Sequence, residues 1–555
     1  MDSSDLEALN YDIFIVLVTY LDISDVVALS QCSRLLRQFA ISHQTWVRLG
    51  RRLILQGIPL PTKGFRTPDD LSTRELIDSV LKADRIYRGW TSRTARATKM
   101  IVISKGSSQF AQSSRASTMI LPITSDIAAM VLGQTDMTIW NIVQGIKLAE
   151  LSDCIERVSL LPSVFSHEVD LSNKAFYFLA HTSAILGEGR DYRIKVIKVD
   201  FMHLPSNLLE IESTVSFEEV ASFREFSICR RFGYQLRLGG GFILNAQERR
   251  VCQVYIEKCI LLFVVLDWDK REAAFIDTGC PRLVTLTRGS KEISFHQVYV
   301  CTWDSQNETL VLTIDTGRST TYYFYRASQL LPFMRSFDEY SGDDFGISTI
   351  PVLPPSRNYN VPYQTHIPRN KLAPLAVQQT GFPTAWHRFS GVSAAPFSRP
   401  FLAHLKSFAE LTTEEREMPA PLRGNQFIRP PSDKDIASSI IPFSLATDGP
   451  RYHLGPRAKM FSVRYGALAW TKEEESENSG LTRSLRITRF FCPSCKSDQI
   501  EQEIVQVCTP LLPNGGPVQM DNTGVDGLLS LSLDEVHGRL FLIYQTGKIA
   551  ALHFG

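Results

Sequence analysis

The chain has 555 residues, of which 44% are hydrophobic and 21% charged. At roughly 150 residues per domain, that length allows several domains or one large repeat array with a sizeable core. With 59 Lys and Arg against 58 Asp and Glu the formal net charge is +1. This excludes a global field that would gather nucleic acid or an anionic membrane, so neither is expected as a partner.

The first ten residues, MDSSDLEALN, are acidic where a signal peptide is basic, and the longest apolar runs, IFIVLV and ILLFVVL, fall short of a span. A bilayer crossing needs roughly 20 such residues. Ten cysteines are scattered irregularly, which suits a reducing compartment better than a disulfide framework. The expectation is an intracellular protein, cytoplasmic or nuclear.

Leu6, Leu9, Ile13 and Leu17 follow 3/4 spacing and predict a first helix. Leu29, Cys32, Leu36 and Phe39 predict a second, capped by Asp22 or Ser24. From about Ser42, residues Trp46, Leu49 and Leu53 share one face of a third. Arg48, Arg51 and Arg52 sit towards its C-terminal end, where positive charge suits the helix dipole. The first helix is apolar nearly all round from Ile13 to Val18. One face can pack on its own small bundle, while the other needs a cover, from the rest of the chain or from another protein.

Leu9, Ile13 and Leu17, the Tyr20-Leu21-Asp22 junction, Asp25 with Val26 to Leu29, and the ending Trp46 to Leu49 together resemble an F-box. This is the motif through which substrate receptors of SCF ubiquitin ligases bind the Skp adaptor. The spacing from Ala28-Leu29 to Trp46 is similar to that of many fungal F-boxes. Asn10 and Ile23 stand where the family usually has prolines, which pre-set a helix start. The resemblance implies an adaptor-binding set of Leu9, Ile13, Phe14, Leu17, Leu21, Val27, Leu29 and Trp46, with a cullin scaffold reached through the adaptor.

After the turn Gly57-Ile-Pro-Leu-Pro61, Ser72-Thr-Arg-Glu75 reads as a capping box opening a helix over about 72–89. Such a helix is similar to the linker of many fungal F-box proteins and would hold the docking module at a fixed distance from the rest of the chain. Arg85, Arg88, Arg93, Arg96 and Lys99 lack interleaved aromatics and read as a solvated helix end rather than a nucleic-acid patch.

From about residue 99 the texture changes to short β-branched and aromatic runs separated by turns. MTIWNIVQGIKLAEL (137–151) reads as a hairpin, with Trp140-Asn141 where WD-type propeller blades carry Trp-Asp. Comparable pairs recur at 175–202, 259–279, 309–327, 459–491 and 538–555, and point to a β-propeller. With about seven blades the repeats average roughly 65 residues, against 40–45 in regular WD repeats. The excess is expected in loops: Ser-rich 104–117, Pro-rich 351–374 and 418–431, and the acidic stretch Glu473 to Glu477. Strand patterning is weakest over 330–440. The last strand, KIAALHFG, is a third without a fourth, and KMIVISK (99–105) could supply it and close the ring.

Motifs for chemistry are sparse. Cys492-Pro-Ser-Cys495 is a lone CxxC, half of what a zinc site needs. Gly239-Gly240-Gly241 and Gly547-Lys548 read as turns rather than phosphate cradles, and His167-Glu168 lacks a second His. Arg224, Arg230, Arg231, Arg237, Arg249 and Arg250 could serve as a fork for a phosphorylated target, although each reads more simply as strand-edge charge.

The expected fold is α+β and multidomain: a three-helix F-box over 1–55, a linker over 56–98, and a mainly-β, propeller-like domain over 99–555. The expected function is a non-catalytic substrate receptor of an SCF-type ligase, without cofactor or metal, that presents an unknown protein target. The alternatives are an F-box interaction protein acting outside a ligase and, less favoured, a propeller enzyme.

Overall fold

Asn10 has extended backbone and its side chain accepts from the Asp12 N–H at 3.4 Å, so it N-caps helix α1 (Tyr11–Val18). The computed structural model describes residues 10–55, 58, 60–91, 94–105, 119–132, 136–151, 167–186, 189–201, 215–224, 243–246, 248–257, 260–280, 298–304, 309–315, 319–336, 350–362, 387–389, 392–394, 458–464, 467–476, 480–489, 504–508, 528–534, 536–544 and 546–554. Helix α2 (Ile23–Cys32) is capped by Asp22, whose N–H donates to the Asp25 carboxylate at 3.0 Å. The second expected helix divides at Ser33. That residue is extended (φ −150, ψ 163) and its Oγ accepts from the Leu36 N–H to start α3 (Arg34–Ala40). A serine that competes for backbone hydrogen bonds breaks the run. The bundle therefore has α4 (His43–Leu55) as its fourth described helix rather than its third.

Helix α5 (Thr73–Thr91) starts at the expected capping box, with the Ser72 N–H and Oγ both on Glu75 at 3.0 and 2.6 Å. Arg66 holds the same carboxylate from the other side at 2.6 and 3.2 Å. These bonds, that of Arg66 first and then those of Ser72, pull the Glu75 pKa down to about 2. Ile58, Leu60 and Leu71, from the segment expected to be a linker, are buried in one core with Phe14, Val26 and Trp46.

Beyond α5 the described chain is mainly strand. β1 (Thr94–Arg96) and β2 (Lys99–Lys105) come first. One sheet runs β3 (Met119–Pro122), β4 (Ile127–Leu132), β5 (Asp136–Asn141), β6 (Ile146–Leu151). The next runs β7 (His167–Asp170), β8 (Ala175–Leu186), β9 (Gly189–Asp200), β10 (Ser216–Arg224). The third, β11 (Ile243–Asn245), β12 (Arg250–Glu257), β13 (Ile260–Asp267) and β14 (Glu272–Asp277), receives the short β18 (Arg335–Ser336) at its edge. The fourth is β15 (Val298–Asp304), β16 (Thr309–Asp315), β17 (Ser319–Arg326) and β19 (Arg357–Pro362). A hairpin, β20 (His387–Phe389) with β21 (Val392–Ala394), precedes β22 (Ala458–Arg464), β23 (Ala467–Ser476), β24 (Gly480–Arg489) and β25 (Ile504–Cys508). The last three strands are β26 (Leu528–Asp534), β27 (Arg539–Tyr544) and β28 (Lys548–His553).

Each of these sheets is built on an up-and-down antiparallel set. The expected fourth strand for the C-terminal three is β2, which pairs antiparallel with β28 from Lys99↔His553 to Lys105↔Lys548. β1 adds to the preceding sheet, lying parallel to β25. Two expected loops are strands instead. Arg357–Pro362, inside the Pro-rich stretch, pairs with β17, and Glu473 to Ser476 continue β23 against β24. The stretches 418–431 and 106–117 lie outside the described residues.

Five turns share one construction. Asn141, Asp170, Asn245, Asp267 and Asp534 end their strands almost wholly buried, at 0–6% exposure. Each side chain accepts the N–H of the residue three further on: Gln144, Asn173, Glu248, Lys270 and His537. The fourth residue on then takes positive φ: Gly145, Lys174, Arg249, Arg271 and Gly538. All five lie between first and second or third and fourth strands of their sheets. In an antiparallel meander those turns share one end.

Candidate docking face

The expected docking residues divide by burial. Phe14 is completely buried and tilts against Phe39 at 5.6 Å, and Trp46, 3% exposed, donates its Nε1–H to the Ala40 carbonyl at 2.6 Å. Both sit inside the bundle and shape its outer face from behind rather than lining it, because an aromatic is the best filler for so small a core. Leu21, Val27 and Leu29 are half-buried against the same core. Leu9 lies outside the described residues.

Ile13 and Leu17 are on the outside, 54% and 41% exposed. Val16 and Tyr20, absent from the expected set, join them at 53% and 65%. Ile13, Val16 and Leu17 follow i, i+3, i+4 spacing along α1, and Tyr20 continues the apolar stripe in the turn just past its C-terminal end. Extending the 3/4 pattern from Ile13 through Val16 would have found both.

The stripe is held outward from behind. Phe14 and Val18 bury the opposite face of α1. Tyr11 fixes the start of the helix, its hydroxyl 2.6 Å from Ser42 Oγ and its ring 5.2 Å from Phe39 edge-on. Arg52 fixes the end: its Nη1 donates to the carbonyls of Val18, Thr19 and Leu21 at 3.0, 3.3 and 2.6 Å. These carbonyls have lost intrahelical partners, and a cation there also suits the dipole. Burial lowers the Arg52 pKa, with Asp22 and Asp84 acting the other way, and a guanidinium stays charged throughout.

The two positions that lack family prolines are both accounted for. Asn10 supplies the cap of α1, and Ile23 is the first residue of α2, 2% exposed, behind the Asp22 cap. Either arrangement starts a helix without the fixed φ of proline.

The other candidate sites come out as structure or fall outside the described residues. Arg249 donates to Tyr177 Oη at 2.6 Å and lies over its ring at 5.4 Å, while Arg250 meets Asp267 at 3.3 Å. Both are engaged within the third sheet and its neighbour rather than set out as a fork. Arg230, Arg231, Arg237, Gly239 to Gly241, Cys492 and Cys495 lie outside the described residues. Glu168 accepts the Ala246 N–H, and Gly547 turns the β27–β28 hairpin at φ 78. Among the described residues no group of three or more His, Cys, Asp or Glu is placed to hold a metal, and no helix is long and apolar enough to cross a membrane.

No family model and no curated protein matches the chain. Solved structures similar to it include three β-rich chains. Raptor from Chaetomium thermophilum matches at 8% identity and TM-score 0.29, over 87% of this chain and 32% of that one. The WD40 domain of SCAP from fission yeast matches at 7% identity and TM-score 0.23, over 82% and 98%. The Cps50 (Swd1) β-propeller domain from Myceliophteria thermophila matches at 8% identity and TM-score 0.25, over 82% and 100%. The chain thus spans about a third of the length of the Raptor chain. At TM-scores this low, the topology rests on the strand pairings of this chain itself. Those pairings establish a helical N-terminal part followed by a mainly-β region of antiparallel sheets.

Proposed function

We propose that this protein is a non-catalytic substrate receptor of an SCF-type ubiquitin ligase, with α1 to α4 as an F-box and the β region as a propeller that carries the target. The observation that carries the reading is the unpartnered stripe Ile13, Val16, Leu17 and Tyr20, held outward by Phe14, Tyr11 and Arg52. Three large apolar side chains at about half exposure on one short helix, with Tyr20 in the turn just after it, make an unusual surface for a monomer, and the kind that a partner covers. The F-box resemblance names that partner as the Skp adaptor, through which the cullin scaffold would be reached.

Three features support a propeller. The larger sheets are each built on an antiparallel meander of three or four strands, β2 completes the last of them from the N-terminal side, and β1 adds to the one before. A ring closed by strands from both ends of the domain removes an open edge. The hairpin β20–β21 falls in chain order where a seventh blade would lie. Catalysis would then come from holding a target lysine near the charged conjugating enzyme, which raises its effective concentration.

Co-purification tests the reading. The full chain should capture the Skp adaptor and, with it, cullin, and Leu17→Asp should capture neither while remaining folded. Wild-type capture by Leu17→Asp would overturn the assignment. Adaptor without cullin would favour an F-box protein acting outside a ligase.

A further inference from the structure

We propose that the seam between α5 and the last sheet binds a small phosphate-bearing anion, with Lys82, Lys99 and His553 as its ligands and Lys63 beside them. The strand register sets out the first part of the site. Lys99 on β2 and Arg539 on β27 both stand directly opposite His553 on β28. Opposite residues share a face of the sheet, so three basic side chains lie abreast across three strands. The row is pinned at its β2 end, where the His553 carbonyl accepts from the N–H and the hydroxyl of Thr98 at 2.7 and 3.2 Å.

Helix α5 supplies the second part. Ile86 is buried among the residues of the last sheet, and a Cβ built at Gly538 would lie 2.7 Å from its Cγ1. That turn of α5 therefore rests on the turn that leads into Arg539. Lys82 is one helical turn earlier on the same side. It is open to solvent, yet its surroundings enclose it enough that burial lowers its pKa, with Arg539 and then Lys63 adding to the fall and Asp534 and Asp126 opposing it. Burial, then Arg539, Lys99 and Lys82, lower that of His553 in the same way. The ammonium of Lys82 and the ring of His553 thus act on each other directly.

Charge at the seam is unbalanced. Four cations, Lys63, Lys82, Lys99 and Arg539, meet two carboxylates, Asp126 and Asp534, which leaves a surplus of two positive charges. Asp534 is already engaged, by Arg539 Nε at 2.8 Å and by His537 Nδ1 at 3.0 Å. Among the described residues none of the three lysines has an ion pair with a carboxylate. Like charges held together without a counter-charge destabilise a fold. A monovalent anion would cancel half of the surplus, whereas a phosphate dianion cancels all of it. Lysine serves phosphate as a point charge, and the His553 ring can donate an N–H beside it.

Thermal unfolding of the full chain tests the site, with inorganic phosphate or pyrophosphate set against chloride at the same ionic strength. Phosphate should raise the wild-type melting temperature by at least about 2 °C over chloride. The His553 ring resonance, identified by its loss in His553→Gln, should titrate at higher pH in phosphate than in chloride, because a bound anion favours the protonated ring. Lys82→Gln and Lys99→Gln should each weaken both responses, and the double variant should abolish them. Lys270→Gln, exposed in a turn of the third sheet, should leave both intact. Where the double variant does not fold, each single variant must still weaken the response. No response in wild type, an equal response to chloride, or a phosphate response that survives in the folded lysine variants means an adventitious ion only and overturns the proposal. None of these readouts uses the α1 stripe or the Skp adaptor, so failure of the docking reading leaves this test standing.

Discussion

Helices α1 and α5 both carry apolar stripes, and the two stripes meet opposite fates. On α5 the stripe Leu76, Val80, Ala83 and Ile86 is at most 3% exposed, covered first by the helical core and then by the last sheet. On α1 the inward residues Phe14 and Val18 are covered as well, but Ile13, Val16, Leu17 and Tyr20 are not. Burial of a side chain of this size contributes about 1.5–3 kcal/mol. The chain has realised that gain along α5 and left it unrealised along α1. Apolar content alone thus does not mark an interface; apolar content without a cover does.

The covered side breaks hardest at its polar node. Arg539 and Asp534, 2% and 1% exposed, are paired through the Arg539 Nε at 2.8 Å, and Arg539 also donates to the Thr124 carbonyl at 3.2 Å in the first sheet. The node ties the last sheet to the first beneath α5. Arg539→Ala leaves the buried Asp534 carboxylate with His537 as its remaining side-chain partner and should cost about 3–5 kcal/mol in urea unfolding. Leu76→Ala empties space in the covered core and should cost about 2–5 kcal/mol by the same measurement.

Acid should loosen the same seam. The His553 pKa is lowered from 6.5 to about 4 by burial first, then by Arg539, Lys99 and Lys82. The unfolded chain takes up this proton near 6.5, whereas the folded chain resists it until about 4. Stability is therefore full above 6.5 and lost as pH falls from 6.5 towards 4. Burial alone would raise the Asp534 carboxyl, and Arg539 with His537 overrides it to hold that group well below the usual carboxylate range. Its contribution is present above 3.8 and lost only as pH falls below that. Urea midpoints at pH values of about 7.5 and 5, on either side of the unfolded-state histidine titration, should differ in wild type and converge in His553→Gln.

Smaller effects test how α5 and α1 are started and displayed. Ser72→Ala removes the cap of α5 and should cost about 1 kcal/mol. Leu17→Asp, on the open stripe, should change stability by less than about 0.5 kcal/mol while abolishing adaptor capture. The contrast with Leu76→Ala is the sharpest form of the comparison: a severe change on the open stripe spares the fold, and a mild change on the covered one does not.

Much of the local structure is legible in the residues. The 3/4 spacing of Ile13 and Leu17, the Ser72–Glu75 capping box and the hairpins around Gly145 and Gly547 all come from periods and turn chemistry that act over a few residues. The pairing of β2 with β28 spans the chain and follows instead from a last sheet one strand short. The recurring five-residue turn is legible too, as Asx at one position and a left-handed residue four later. It passes unnoticed because Lys174, Arg249 and Arg271 stand where glycine is the usual signal. The break at Ser33 is harder, since one serine inside an apolar repeat is as readily a solvated helical residue.

By itself the sequence determined that a helical part precedes a strand-rich one, where α5 begins, and that the first helix carries more apolar surface than a small bundle can cover. Only tertiary structure decided which side of α1 remains open. Phe14 and Ile13 are neighbours of similar apolarity, and their separation into core and surface comes from Phe39 and Trp46 gathering on one side and Arg52 gripping the carbonyls at the helix end. Tertiary structure likewise decided that Trp46 supports the docking face instead of forming it. The physical reason is that periodicity assigns residues to faces within one element, whereas burial depends on what other elements bring to each face, here from as far along the chain as Val536 and Phe554.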